Sequence, residues 1–526
     1  MATRTNRKHS ATTTQSAGAP TLRATKRARV AEPAQSTTTR NLLSRRQARQ
    51  PQTLPGTSLD PTSSLPVINH VPTEVLDVLV FGNGENSELG LGPSRTETSI
   101  PRVNPFLHAG TESNFHVVQL DCGGMHTIAL TKSNQIVTWG VNDNGALGRS
   151  TEWSGGLRDM DDENDDGEDS KSDDDGNLNP LESTPTAIST SSFPPNTTFV
   201  QVAAGDSCSL ALTDKGLVFG WGTFTMDEGK TIFSYDTEKD ELVEKQMTPT
   251  LIKGLSGITQ IACGANHALA LDAIRGIAYT WGRADQNQLG RRITSFPSQG
   301  EPANLFFLPG LIPGPVPIPN IRYIATGEHH AFAIDHREVV WGWGYNGFNE
   351  TGADPQHAGK EDADNILPYP KPVKTLSGHK IAVLDGGQHH SVAVTADGRC
   401  LAWGQMDCGQ LGIEFRNEQL FDKSLIRNDE RGKPRICLKP TVITGPIGLV
   451  RHVACGTDHT IIVSRDGAVY ATGFNANGQL GLGHEDDVYV AQRLAGKATV
   501  SRRFTWAGAG GQFSVVAGPH RPSPAT

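Results

Sequence analysis

Apolar and polar positions recur in the same order along six stretches of the chain. Each stretch opens with a glycine, runs through apolar or alternating positions such as SVAV (391–394), and reaches a turn such as ADG (396–398) or RDG (465–467). It then returns through a run such as AVYA (468–471) to a second glycine. Short apolar runs on both sides of turn residues predict β-hairpins. The leading glycines are Gly123, Gly205, Gly264, Gly327, Gly387 and Gly456, and the closing glycines are Gly140, Gly222, Gly282, Gly344, Gly404 and Gly473.

The repeat period of about 60 residues is long enough for a four-stranded blade with loops. The two ends of the chain hold complementary halves of one further copy, LVFGNGENSELGLG (79–92) and WAGAGGQFSVVAG (506–518). Joining the halves would remove strand edges that each half leaves unpaired. The pattern therefore predicts an all-β fold. We expect a seven-bladed β-propeller over residues 71–519, closed by strands from both termini, with 520–526 as a short tail.

A histidine follows the leading glycine by three residues in five copies. What recurs in register is expected to be scaffold, and what departs is a candidate for function. Equivalent positions lie in separate blades, so we interpret these histidines as structural groups that bond local backbone and expect no metal site. They are His126, His267, His330, His390 and His459.

The two residues that directly follow each leading glycine do not recur. They would lie in loops near the centre of one face of the disc, and loops on a rigid scaffold often carry function. The polar members predict a ring suited to a charged partner. We select Asp206, Asn266, His329, His389 and Asp458 from them.

One copy departs strongly from the others after Gly222, where TFTMDEGKTIFSYDTEKDELVEKQMTP replaces the usual turn. We predict a protruding hairpin over about 223–249, with Gly229 and Lys230 at its tip and with Ile232 and Phe233 exposed. Exposed apolar residues on a protrusion indicate contact with another protein. The contact segment is predicted as Gly229, Lys230, Thr231, Ile232, Phe233 and Ser234. Insertions at 291–320 and 413–440 are predicted to be irregular loops.

The formal net charge of −9 conceals two segments of opposite sign. Residues 1–49 carry eleven Lys or Arg and one acid, so 1–70 is predicted to be a disordered basic tail for nuclear import and nucleic-acid contact. An acidic run at 158–175 predicts a disordered insertion over about 151–195. The basic residues selected for import and chromatin contact are Lys26, Arg27, Arg29, Arg45, Arg46 and Arg49.

Two bulk features narrow the class of protein. No apolar run reaches the roughly 18 residues that predict a membrane-spanning helix, so no membrane partner is expected. The seven cysteines are an odd number without paired CxxC motifs, which favours reduced thiols in an intracellular protein.

The module GxxHSxALTxDGxVYxWGxNxxGQLG, in seven copies, resembles that of the regulator of chromosome condensation family. QNQLGRR (286–292) is similar to fungal members. The resemblance implies a chromatin-bound guanine nucleotide exchange factor for the small GTPase Ran, whose wedge hairpin loosens bound GDP. It implies functional roles for Asp206 and His389, and it places Glu85 and Asn266 where the family's ring has acids.

The same resemblance implies the partners of the protein. These are Ran, histones, DNA phosphates and an import receptor. The protein is expected to be a nuclear monomer. It is expected to need no bound cofactor and to perform no covalent chemistry. The alternative left open is a propeller that only scaffolds other proteins, without exchange activity. A sensor propeller would need additional clustered tryptophans, and a hydrolase would need a nucleophile, a base and an orienting group together.

Overall fold

Each predicted hairpin forms the two middle strands of an antiparallel sheet, and there are seven such sheets. The computed structural model describes residues 65–110, 114–154, 178–226, 229–236, 239, 241–293, 308–353 and 365–521. The first strand of each sheet lines a central channel. The fold is the predicted all-β, seven-bladed propeller.

We number the blades in chain order and give each blade's strands from the channel outward. Blade 1 contains β32 (Trp506–Ala509), β33 (Phe513–Pro519), β1 (Leu76–Asn83) and β2 (Glu97–Val103), and blade 2 contains β3 (Val117–Cys122), β4 (His126–Thr131), β5 (Ile136–Gly140) and β6 (Thr186–Ala187). Blade 3 contains β7 (Phe199–Ala204), β8 (Cys208–Thr213), β9 (Val218–Gly222) and β14 (Gln246–Leu251), and blade 4 contains β15 (Gln260–Cys263), β16 (His267–Asp272), β17 (Ile277–Gly282) and β18 (Gly314–Pro315).

The remaining blades continue the same order, and blade 6 gains a fifth strand. Blade 5 contains β19 (Ile321–Thr326), β20 (His330–Asp335), β21 (Val340–Tyr345) and β22 (Ile366–Pro372); blade 6 contains β23 (Ile381–Gly386), β24 (His390–Thr395), β25 (Cys400–Gln405), β27 (Pro434–Val442) and β26 (Ile426–Asn428); blade 7 contains β28 (Val450–Cys455), β29 (His459–Ser464), β30 (Val469–Gly473) and β31 (Val488–Arg493). The short helices are α1 (Pro180–Ser183), α2 (Leu308–Leu311), α3 (Asn417–Leu420) and α4 (Lys497–Val500).

Blade 1 closes the ring with strands from both ends of the chain, as predicted. Strand β1 pairs antiparallel with β33 over seven residues, from Leu76 opposite Pro519 to Gly82 opposite Phe513. The closing glycines permit a close approach between strand and loop. Gly282, for example, has φ of +112°, and a Cβ there would lie 2.7 Å from the carbonyl oxygen of Asn266.

Four of the five recurring histidines join neighbouring blades, and the ring nitrogens of the fifth, His267, have no hydrogen-bond partner among the described residues. Nε2 of His126 lies 2.8 Å from Oγ of Ser209 in the next blade, and this hydroxyl donates to the carbonyl of Ala146 at 2.9 Å. Because the hydroxyl proton is used there, Nε2 must carry the proton that it donates. The structural interpretation is confirmed, but the predicted local backbone partner is wrong. The same link joins His330 to Ser391, His390 to Thr460 and His459 to Ser514.

Side chains on the channel strands cap the edge of the next blade. Oε1 of Gln119 accepts from the Val202 N–H at 2.7 Å, and Gln201 and Gln260 repeat the contact one and two blades further on. These bonds satisfy donors that an inner strand would otherwise present unpaired. They also join adjacent blades around the channel.

Several predicted boundaries need correction. The acidic insertion was predicted to extend to 195, but residues 178–195 contain α1 and β6, which pairs with β5 and completes blade 2. Residues 155–177 lie outside the described part. The loop predicted over 413–440 contains α3 and β26 and leads into β27, because its apolar residues pack into blade 6. Likewise, the predicted loop at 291–320 contains α2 and β18.

Candidate functional site

The loops between the first and second strands form a continuous ring around one mouth of the channel. Backbone bonds join consecutive loops: Asp206 N–H donates to the Ala265 carbonyl at 2.9 Å, and Ala265 N–H donates to that of Glu328 at 3.0 Å. Glu328 N–H in turn donates to the Gly387 carbonyl at 3.1 Å. The non-recurring residues selected from the sequence are therefore held side by side on one face.

Carboxylates dominate the middle of this ring. Burial raises the pKa of Glu328 to about 7, and the charges of Asp206 and Asp458 add to the increase. Oγ1 of Thr457 donates to Oε1 of Glu328 at 2.8 Å. Burial also raises the pKa of Asp206 to about 6, and it raises that of Asp458. Glu328, which the sequence analysis passed over in favour of its neighbour His329, is central to the cluster.

The two selected histidines lie beside these acids. Burial lowers the pKa of His329 to about 4, with further lowering from the charges of His389 and Arg283, so the His329 ring is neutral near pH 7. His389 is half-buried, and its ring stacks on Phe348 with centroids 4.6 Å apart.

Glu85 occupies a different repeat position from the other selected residues. It lies in the turn that follows closing glycine Gly82, where its backbone N–H donates to Oδ1 of Asn83 at 2.7 Å. Asp143, Asp285 and Asp407 hold the same turn position in blades 2, 4 and 6. The structure thus adds an outer set of acids that sequence reasoning missed. Aligning the turns after the closing glycines would have found it.

The insertion of blade 3 folds into two small hairpins. Strand β10 (Phe224–Thr225) pairs with β11 (Thr231–Ile232), and β12 (Ser234–Asp236) pairs with β13 (Glu241–Val243). Met226 N–H donates to the Lys230 carbonyl at 2.7 Å, which closes a tight turn. Gly229, with φ of +74°, and Lys230 are exposed at this tip, as predicted.

The predicted exposure of Ile232 and Phe233 is wrong. They are 3% and 2% exposed, and they pack with Phe224, Met226 and Trp281 in the core between blades 3 and 4. The rings of Phe224 and Phe233 are parallel within 3°. These apolar residues therefore anchor the hairpin, whereas Gly229 and Lys230 at its tip are exposed to solvent.

Asn266 contacts the inserted hairpin of blade 3, residues 223–249, which we call the wedge. The side chain is buried, and its Oδ1 accepts from the backbone N–H of Thr225 at 2.7 Å. This hydrogen bond connects strand β10 to the loop between β15 and β16 of blade 4. Asn266 is thus placed to position the hairpin, and its side-chain oxygen is already engaged.

A family model described as RCC1-like domain matches residues 77–516 of the chain. The chain belongs to the RCC1-like family. The matched range includes strands of all seven blades of the described propeller. It also includes the loops of the ring and the turns that carry the acids described above.

Relatives of this RCC1-like chain include two proteins of known activity or structure. It is 35% identical to the guanine nucleotide exchange factor SRM1 of Saccharomyces cerevisiae over 460 residues, which is 85% of this chain and 88% of SRM1. The crystal structure of Prp20p from Saccharomyces cerevisiae, described with its binding to Gsp1p and histones, superposes with a TM-score of 0.73. That match has 33% identity and covers 86% of this chain and 93% of Prp20p.

A second structure shows yeast RCC1 (Prp20) bound to Kap60. It matches with a TM-score of 0.73 and 32% identity, over 91% of this chain and 97% of that one. The predicted import and chromatin residues of the RCC1-like chain, 26–49, lie outside the described part. Within the described part, no helix is long and apolar enough to cross a membrane.

Proposed function

We propose that this RCC1-like protein is a guanine nucleotide exchange factor for the small GTPase Ran and acts in the nucleus on chromatin. The observation that carries the proposal is one face that combines an acidic ring with a wedge anchored beside it. SRM1, which matches over most of both chains, is named as an exchange factor, and Prp20p is described with Gsp1p and histones. Both support the proposal.

The mechanism requires no covalent step. A P-loop GTPase holds its nucleotide through backbone amides, a lysine and Mg²⁺. A factor that binds the nucleotide-free form more tightly must weaken nucleotide binding by the same factor, by linkage. The tip at Gly229 and Lys230 would displace the phosphate-binding region, while the acids around Asp206 and Glu328 hold a basic surface of the GTPase. The emptied GTPase then reloads with the abundant nucleotide, normally GTP.

The basic residues near the N-terminus would retain the factor on chromatin and direct its import. Lys and Arg side chains bind DNA phosphates without sequence preference, and the contact weakens as salt increases. Histones are the second chromatin partner, and an importin of the Kap60 type is the proposed import receptor. One copy of the chain is the proposed active unit, because the ring closes within a single chain.

Release of fluorescent GDP from purified Ran tests the exchange function directly. We expect this protein to accelerate release by more than about 150-fold, the upper end of ordinary coupling between sites. Asp206→Asn and His389→Ala should each reduce the acceleration, and both variants should still unfold cooperatively on heating. If a folded protein causes no acceleration, the exchange function is wrong and the propeller is a binding scaffold.

A further inference from the structure

In five blades, the turn after the closing glycine carries a side chain that accepts a hydrogen bond from the backbone of the same turn. Gln288, Gln410 and Gln479 each accept, through Oε1, from the backbone N–H two residues earlier, at 3.1, 3.1 and 3.0 Å. Glu88 and Glu350 make the same bond at 2.9 and 2.7 Å. A glutamine is sufficient for this role in three blades. The cap therefore does not explain a negative charge at position 350.

The second carboxylate oxygen of Glu350 faces His389. Oε1 lies 3.4 Å from Nδ1 of His389, and neither atom has a hydrogen-bond partner within the described residues. The Glu350 side chain is 0% exposed. A buried carboxylate is costly unless a positive or donating group compensates it. The imidazole of His389 is the group placed to do so.

Aromatic side chains pack around the ring of His389. Its ring stacks on Phe348 and lies 5.6 Å from the ring of Tyr345. The guanidinium of Arg435 lies over the Phe348 ring at 5.0 Å. Phe348 stands where four other blades have the small residues Asn86, Asn144, Cys408 and Asn477, and where the other two have Met226 and Gln286. The side chain that contacts the His389 ring, Phe348, is therefore one that differs from the repeat.

We propose that Glu350 is a positioning residue that acts through His389 on the GTPase-binding face. Its carboxylate faces Nδ1 at ion-pair distance, and because Nε2 lies on a different edge of the imidazole, Nε2 is directed away from Glu350. The His389 side chain remains 22% exposed, which leaves that edge for the partner. This inference deepens the proposed exchange function and rests on it for its kinetic consequence. The orientation of the ring in the free protein does not depend on that function.

The chain supplies a matched pair of variants for the test. Glu350→Gln keeps the cap to Phe348, as glutamine does in three other blades, and removes only the charge that faces His389. Glu88→Gln makes the same change in blade 1, where the cap is to Asn86. In steady-state exchange on Ran·GDP, we expect Glu350→Gln to raise KM about tenfold with kcat nearly unchanged, as for loss of one charged contact. Glu88→Gln should behave as the wild type.

A double-mutant cycle separates positioning from a general structural effect. If Glu350 acts through His389, Glu350→Gln should have no further effect on KM in the His389→Ala protein. A full effect in that background would overturn the proposal, and so would equal effects of Glu350→Gln and Glu88→Gln. Cooperative thermal unfolding of each variant would confirm that the variants are folded.

The free protein provides a readout that does not need the GTPase. With ¹³Cε1-labelled histidine, the His389 signal is identified by its loss in His389→Ala. Glu350→Gln should shift or broaden this signal, and Glu88→Gln should not. An unchanged signal would overturn the positioning role whether or not exchange occurs. A shifted signal in a protein without exchange activity would support it and would refute only the proposed function.

Discussion

At the scale of the residue, single side chains join the blades, and two of them are half-buried acids that line the channel. Asp121 accepts from the Ala204 N–H at 2.9 Å, and Asp385 accepts from the Cys455 N–H at 2.8 Å. Burial raises the pKa of Asp121 to about 7 and that of Asp385 to about 8. Most other blades have alanine at this position. The channel therefore holds titratable groups whose proton affinity depends on folding.

These acids predict a decrease in stability as the pH rises. Below pH 8 the folded protein keeps a proton on Asp385, whereas the unfolded chain releases it above about pH 4. Between these values the folded state binds more protons, so the free energy of unfolding falls with increasing pH. Asp385→Asn still offers an oxygen to Cys455 and should flatten this decrease by up to about 1.4 kcal/mol per pH unit.

Urea unfolding at several pH values between 5 and 8 measures this dependence. Glu418→Gln, an exposed change on α3 of the same blade, is the control and should keep the wild-type slope. A slope that is the same in Asp385→Asn and in the wild type would show that Asp385 is charged throughout this range.

At the scale of the element, the wedge hairpin divides into an anchor and a tip. Phe233 is packed against Phe224 in the core, while Lys230 projects from the exposed turn. An apolar pair on an inserted segment was predicted to contact a partner. In the folded protein it instead fills space between blades 3 and 4, where the insertion replaces the usual turn.

The two parts of the wedge should respond differently to mutation. Phe233→Ala should lower the free energy of unfolding by about 3–5 kcal/mol, the usual cost of truncating a buried phenylalanine. Lys230→Ala should change stability by less than about 0.5 kcal/mol, as expected for an exposed side chain. It should nevertheless slow GDP release from Ran, because it alters the part that meets the GTPase. Chemical denaturation and the exchange assay together measure both effects, and full exchange by Lys230→Ala would contradict a role for the tip.

The limits of prediction at this scale have a physical origin. The hairpins were predictable because each is local, with its strands joined by a short turn and their apolar positions in register. The burial of Ile232 depends on Trp281 of the next blade, which lies far along the chain. Equally, strand β6 of two residues carries too little pattern to be recognised beside the acidic run.

At the scale of the whole molecule, closure of the ring makes the chain's two ends part of one sheet. The β1–β33 pairing buries Val515 and Val516 and removes the strand edge that β1 would otherwise expose. Each blade packs on its neighbours, so a break at blade 1 leaves two faces uncovered.

Removal of β33 should therefore destabilise the entire propeller. A chain ending at Gly511 loses the partner of β1, and we expect it to aggregate or to lose its cooperative unfolding transition. A chain ending at Arg521 keeps β33 and should unfold as the full chain does. Circular dichroism during heating compares the two, and an unchanged midpoint in the shorter chain would refute the structural importance of closure.

The sequence by itself determined the number of blades, the hairpins within them and the closure by both ends. These features follow from local periodicity and from the number of copies of the repeat, which can be counted in the sequence. It also indicated the ring around Asp206 and His389, because residues that depart from a repeat can be recognised by comparing its copies along the sequence. Only the tertiary structure decided what those departures contact. Glu350 meets His389, and Asn266 holds the wedge, because packing brings together loops of successive blades that spacing along the chain does not relate.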